Sequence, residues 1–246
     1  MKIVIMAAGK GTRLANAGGK PVPKVLRRTN DRTLLDYVLD ASSIVDKKDV
    51  FIVVGYLAEQ VEAAYSDYTC VRQGDDGYGT GYAVMCAMKN ETLAGYDGDI
   101  MVLNGDMPLI RRETLENMVA QHTKNGALCT MLTCVSDEYL PYGRIIRDED
   151  GKIVNIIEEA DCTPEQKLIK ELNIGMYIFN AERLRYALTK LTNQNVKGEY
   201  YITDLPPILI KTGDRVESFI TTDVEEIRGV NTPDDLVAVG EILRNR

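Results

Sequence analysis

Short apolar runs separated by helix-patterned stretches fill the first 135 residues, and this alternation restricts the fold of the 246-residue chain more than any other feature. Ile3–Met6, Val50–Val54, Tyr68–Arg72, Ile100–Leu103 and Ala127–Val135 read as strands. Leu34–Ile44, Ala58–Tyr65, Gly81–Lys89 and Arg112–Lys124 read as helices. Near-continuous hydrophobic strands between helices imply an α/β fold with a mainly parallel sheet wrapped by helices. The second half is richer in strands. Gly143–Arg147 and Lys152–Ile157 flank Asp148-Glu149-Asp150-Gly151 as a hairpin, and Asn173–Phe179 and Val216–Ile220 add further strands. Helices are expected over Ala181–Leu191, over Tyr201–Lys211, where Pro206-Pro207 should break or bend it, and over Pro233–Leu243 with Asn231 or Thr232 near its N-cap. With no linker or repeat, the chain reads as one domain over residues 1–246 with an inserted β-rich subregion.

The first strand runs into Ala7-Ala8-Gly9-Lys10-Gly11-Thr12-Arg13, with Pro23-Lys24-Val25-Leu26 further on. Small residues let backbone amides approach a polyphosphate, and Arg13 and Lys24 can neutralise its charge. Two commoner phosphate motifs fail. A P-loop built on Gly9-Lys10 needs glycine where Val4 stands, and Gly11 occupies its Ser/Thr position. A dinucleotide fingerprint starting at Gly9 needs Gly or Ala where Leu14 stands, and the second strand ends in Gly55-Tyr56 instead of an acid.

A formal net charge of −8 argues against a general nucleic-acid binder, which carries a basic footprint, but leaves room for a local cationic pocket. No apolar run approaches a membrane span, and the N-terminus reads as a strand and functional loop rather than a signal peptide, so a cytoplasmic location is expected. The five cysteines form no Cys-x-x-Cys pair and are expected to be reduced and mostly buried. His122, the single histidine, lies in the polar stretch Gln-His-Thr-Lys-Asn-Gly and reads as a surface residue, which argues against histidine-based catalysis and multi-histidine metal sites.

Open α/β sheets bind ligands beyond the carboxyl ends of their strands, where further polar clusters fall. Asn104-Gly105-Asp106-Met107-Pro108 follows one strand. A lone Asp there is commonly a cap or turn residue, but beside a polyphosphate loop it suits Mg²⁺, which takes one or two carboxylates plus phosphate oxygens. Gly74-Asp75-Asp76-Gly77-Tyr78-Gly79-Thr80-Gly81 offers exposed amides to a flat or anionic ligand, or else a surface turn capped by Thr80. Tyr142-Gly143-Arg144, Glu158 and Asn173 form a polar set suited to sugar hydroxyls.

The motifs AAGKGTR, PKVL, GTGYAV, NGDMPLI, YGRII, GKIVNIIEEAD, ELNIGMYIF, LTNQN, KGEYYITDL and GVNTPDDL run in order from Met1 to about Leu243. Together they resemble the pyrophosphorylase domain of bacterial N-acetylglucosamine-1-phosphate uridyltransferases, within the sugar nucleotidyltransferases. The resemblance implies a GT-A-like (Rossmann-like) fold. Its nucleotide-binding part would span about residues 1–135, its sugar-binding part about 136–230 and a C-terminal helix about 232–243. It implies Mg²⁺-dependent, direct in-line formation of UDP-N-acetylglucosamine, or a related UDP-sugar, and pyrophosphate from UTP and a sugar 1-phosphate. Arg13 and Lys24 would be catalytic, and Asp106 and Asn231 would hold Mg²⁺. Met6, Ala7, Ala8, Gly9, Gln73, Gly79, Thr80, Asn104 and Gly105 would bind nucleotide. Gly143, Glu158 and Asn173 would hold the sugar. UTP and a sugar 1-phosphate are the expected partners, with no nucleic acid and no membrane.

Three features depart from the family pattern. Arg13 and Lys24 are 24 − 13 = 11 residues apart, four more than in the family, so the Asn16–Gly19 region lengthens the loop and Lys20 is an alternative cation. The family's uracil-reading glutamine corresponds in spacing to Gly74, and an inserted residue within Asp75–Tyr78 would restore Gln73 to that role. Glu159-Ala160 stands where the family commonly has His-Lys. The hexapeptide-repeat acetyltransferase of bifunctional members is not among these residues, so neither acetyl transfer nor the trimer it creates is expected. The alternatives are a nucleotidyltransferase for another base or acceptor, a glycosyltransferase, which would normally show Asp-x-Asp rather than Asn104-Gly105-Asp106, and a non-catalytic nucleotide-sugar sensor.

Overall fold

A computed structural model describes residues 1–14 and 21–246. The Asn16–Gly19 insertion and Lys20 lie outside the described residues. The strands are β1 (Lys2–Ala7), β2 (Arg28–Thr29), β3 (Arg32–Thr33), β4 (Val50–Val54), β5 (Thr69–Arg72), β6 (Asp99–Asn104), β7 (Cys129–Val135), β8 (Gly143–Arg147), β9 (Ile153–Ile157), β10 (Glu171–Asn180) and β11 (Val216–Thr221). The helices are α1 (Leu34–Ala41), α2 (Ala58–Ala64), α3 (Thr80–Ala87), α4 (Glu91–Ala94), α5 (Arg112–Asn125), α6 (Ala181–Leu188), α7 (Leu205–Lys211) and α8 (Pro233–Asn245).

One sheet runs β11-β7-β10-β6-β1-β4-β5, and β8 and β9 branch from β10. β6, β1, β4 and β5 are mutually parallel, as their unbroken apolar runs imply. Strand alternation feeds two helical layers. Ile3 and Ile5 face Leu35 and Val38 of α1, Val61 of α2 and Leu115 of α5. Val4 faces Val84 of α3, Leu184 of α6 and Leu209 of α7.

The chain winds outward from β1 through β4 to β5, then returns to place β6 on the other side of β1. That reversal opens a crevice beyond the carboxyl ends of β1 and β6. β10 enters antiparallel between β6 and β7, and a register shift between Asn173 and Tyr177 divides it. Residues Tyr177–Asn180 pair with β6, while Leu172 and Asn173 pair with β8. The sheet therefore splits where β6 ends, and the β8–β9 hairpin flanks the crevice.

Several local expectations change. His122 is not a surface residue: it is 2% exposed, and its Nδ1 lies 2.7 Å from the Thr130 hydroxyl of β7. The polar neighbours in sequence point outward while α5 turns this one side chain onto the sheet. Pro206 and Pro207 neither break nor bend a helix, because they occupy the first turn of α7, where a missing N–H costs nothing. Thr80 does not cap α3; Gly79 does, and Thr80 opens the helix. At α8 the cap is Thr232, which forms a capping box with Asp235. All five cysteines are free, with Cys86, Cys129 and Cys134 buried and Cys70 and Cys162 partly so.

Candidate active site

The loop after β1 is held from two sides. The Tyr56 amide donates to the Ala8 carbonyl (3.2 Å), and the Gly105 amide donates to the Met6 carbonyl (3.0 Å). Gly11 has φ +59°, and a Cβ there would sit 2.8 Å from Lys24 Cβ. Only glycine allows both that backbone and that approach. Val25, buried in the core, fixes the next turn, so the Lys24 stem lies against Gly11 despite the longer connection between Arg13 and Lys24.

The Lys24 ammonium pairs with Asp106 Oδ2 and also donates to Asn231 Oδ1 (2.9 Å). Arg13 Nη2 donates to the same Asn231 oxygen (3.2 Å). Four residues from three distant segments thus meet at one point. Asn231 is steadied by its neighbours: its amide donates to Asp235 Oδ2 (2.8 Å), part of the α8 cap, and the Val230 amide donates to the Asp106 carbonyl (2.9 Å). Beneath this point Leu14, Leu34, Leu109, Val230 and Val239 form a small apolar cluster of their own. Among the described residues no three His, Cys, Asp or Glu side chains gather into a metal cage. A divalent cation here would rest on the Asp106 and Asn231 oxygens and on ligand oxygens.

A cavity of about 320 Å³ opens beside this cluster. Of the sequence-derived site residues, Met6, Ala7, Ala8, Gly9, Arg13, Lys24, Gln73, Gly79, Thr80, Asn104, Asp106 and Asn231 all line it. Gly105 does not, serving instead as the backbone link to Met6. Gln73 lines the cavity, and Gly74 does not. The Asn104 side chain donates back to the Ile174 (3.2 Å) and Gly175 (3.3 Å) carbonyls and braces the split in the sheet.

Tyr78 and Glu199 also line the cavity and escaped the sequence reading. The segment around Glu199 pairs with the glycine-rich loop 120 residues earlier. The Tyr200 amide donates to the Tyr78 carbonyl (2.8 Å), the Gly81 amide to the Tyr200 carbonyl (2.7 Å), and the Ile202 amide to Thr80 Oγ1 (3.1 Å). Gly79, at φ +108°, has no room for a Cβ against the Tyr200 carbonyl. The glycine-rich segment stood out by composition and KGEYYITDL by resemblance, but nothing local in the sequence announces that they touch.

Gly143, Glu158 and Asn173 come together but do not line the same cavity. Gly143 pairs with Asn173, and a Cβ on it would lie 3.7 Å from Glu158 Cα. Asn173 Nδ2 donates to the Tyr177 hydroxyl (2.7 Å), and Thr203 Oγ1 donates to Glu158 Oε1 (2.8 Å). Arg144 turns inward, is 1% exposed, and donates to the Tyr142 and Lys167 carbonyls.

Burial raises Glu158, and burial followed by the charges of Glu158 and Asp161 pushes Asp204 up to about 6. The folded state therefore keeps a proton on Asp204 that the unfolded chain releases near pH 4, and stability falls as pH rises from about 4 to 6. Asp204→Asn is expected to stabilise the protein by about 1 kcal/mol near pH 8, a figure reduced for solvent screening, and to lose that gain by about pH 4. Thermal melts at the two pH values check this. An equal gain at both would assign the effect to packing.

Residues 3–198 match the MobA-like NTP transferase domain. The chain belongs to the MobA-like NTP transferase domain family. Within it, the chain is 41% identical over 244 residues to the bifunctional protein GlmU of Clostridium novyi (strain NT), an alignment covering 99% of this chain and 52% of that protein. It is 36% identical over 243 residues to the bifunctional protein GlmU of Streptococcus thermophilus (strain ATCC BAA-491 / LMD-9), with the same coverage of each. The chain spans about half the length of these curated relatives. Among solved structures, UDP-glucose pyrophosphorylase complexed with UDP-glucose superposes with a TM-score of 0.79 at 19% identity, over 99% of this chain and 98% of that one. That likeness places this NTP transferase domain in the same α/β fold, as the motif order implies. Among the described residues no helix is long and apolar enough to cross a membrane.

Proposed function

We propose that this chain transfers a uridylyl group from UTP to a sugar 1-phosphate, with N-acetylglucosamine 1-phosphate the leading acceptor, and releases pyrophosphate. The observation that carries this reading is the convergence of Arg13, Lys24, Asp106 and Asn231 beside the glycine-rich cavity. Identity of 36–41% to GlmU proteins across 99% of the chain supports a UDP-sugar product.

A phosphate oxygen of the sugar phosphate attacks the α-phosphorus of UTP, and the bond from that phosphorus to the bridging oxygen of the β-phosphate breaks. Such transfers depend on positioning and charge neutralisation more than on an acid–base side chain. Arg13 and Lys24 face the triphosphate, and the amides of the loop from Ala7 to Gly11 provide uncharged donors. Gln73 would read the base edge, with Gly79 and Thr80 beside it. Gly143, Glu158 and Asn173 would hold sugar hydroxyls, reached through the split beside β6. The single sheet shared by both halves supports a one-domain reading.

The donor set fits Mg²⁺. A carboxylate and an amide oxygen already converge on a cation, the Lys24 ammonium, and Mg²⁺ favours few protein oxygens completed by water and phosphate. Bound there, Mg²⁺ would neutralise and orient the α-phosphate. Asp106 and Asn231 would hold it, and Lys24 would be released toward the phosphates.

Pyrophosphate release measured for each NTP against a panel of sugar 1-phosphates tests the proposal. UTP with N-acetylglucosamine 1-phosphate should turn over fastest. Turnover with another NTP and none with UTP would overturn the uridylyl assignment.

A further inference from the structure

We infer that Tyr78 touches the nucleoside, its ring forming a stacking face for the base at the mouth of the cavity. This rests on the nucleotide-binding reading above. Tyr78 lines the cavity with Gln73 and yet is 52% exposed, so its ring is not spent on packing.

The backbone that carries it is held on both sides. Upstream, Tyr82 is 5% exposed, and its hydroxyl donates to the Asp76 carboxylate. Gly77 lies directly on the Tyr82 ring, where a Cβ would collide with it. Downstream, the Tyr78 carbonyl accepts from the Tyr200 amide (2.8 Å), and Gly79 is pressed against the Tyr200 carbonyl. A large aromatic ring is thus presented to a polar cavity by a fastened loop. Tyrosine has two χ angles to order, so such a ring offers contact area at low entropic cost.

The position selects the base rather than the phosphates. Gln73 leaves β5, three strands from β6, roughly 14 Å at ordinary strand spacing. The Lys24–Asp106–Asn231 cluster lies beyond β6, so the cavity is cationic at one side and presents an amide and an aromatic ring toward the other. A planar base has a face for the ring and an edge for the amide, and a phosphate has neither.

Calorimetric titration of the wild type, Tyr78→Ala and Tyr78→Phe with UTP and with inorganic tripolyphosphate tests the inference. Loss of one base-stacking face should weaken UTP binding about tenfold in Tyr78→Ala. Tyr78→Phe, which keeps the ring, should stay within about twofold of wild type. Tripolyphosphate should bind all three proteins alike. Unchanged UTP affinity in Tyr78→Ala overturns the inference, as does an equal loss for tripolyphosphate. A wild-type protein that binds tripolyphosphate but gains nothing from the nucleoside overturns it too. Failure of the wild type to bind any nucleotide removes the proposed function as well, and is distinguished by that fact.

Discussion

Asp106→Ala is expected to reduce turnover by about a thousandfold or more while the protein stays folded. In the proposed metal site Asp106 would supply the charged oxygen and Asn231 only a neutral amide oxygen. Removing the carboxylate would leave the proposed divalent cation one weak protein ligand and leaves Lys24 without its counter-charge. The fold has little at stake in the side chain, which is 29% exposed, because the strut to Val230 uses the Asp106 backbone carbonyl. Pyrophosphate release and a thermal melt on the same sample separate the two effects. Asp106→Asn, which keeps the shape without the charge, should be nearly as inactive. Activity equal to wild type would remove Asp106 from the metal site.

Lys24→Met should move two readouts in opposite directions. Turnover falls by about a hundredfold to a thousandfold, as loss of a cation aimed at transition-state charge predicts. Binding of Mn²⁺ without nucleotide, followed by the loss of the free-ion electron paramagnetic resonance signal, becomes tighter. The reason is the geometry: the ammonium engages the Asp106 and Asn231 oxygens proposed for the divalent cation. Lys24→Arg is not a gentle replacement, because a planar fork cannot take the place of a point charge between two oxygens. Unaltered Mn²⁺ affinity in Lys24→Met would show that the ammonium does not compete there.

The parallel half of the fold was legible because β1, β4 and β6 are buried on both faces, which leaves an unbroken apolar signature. Strand direction is not written in such a signature. β10 is as apolar as its neighbours, and its antiparallel entry depends on partners far away in sequence. His122 was misread for a related reason: one inward position on a polar helix end carries no local mark. The loop after β1 stood out by its small residues and flanking cations, and it lines the cavity. Tyr78 and Glu199 were not, since both owe their place to backbone pairing across 120 residues. Gly143, Glu158 and Asn173 were grouped as polar residues suited to sugar hydroxyls, a role the resemblance also implies. The structure brings the three together in space, although not on the lining of the cavity beside Lys24.

The apolar cluster of Leu14, Leu34, Leu109, Val230 and Val239 has a consequence for how this site can change. It underlies the segments bearing Arg13, Asp106 and Asn231, and it shares no residue with the loop bearing Gln73 and Tyr78. The residues proposed for transfer and those proposed for base selection therefore stand on separate foundations. Under the proposed function, substitutions around Gln73 and Tyr78 would change nucleotide preference without loosening Arg13, Asp106 and Asn231. A methyl lost beneath Leu14 or Val239 would instead let those groups open together as one cooperative unit, raising amide exchange in all three segments at once.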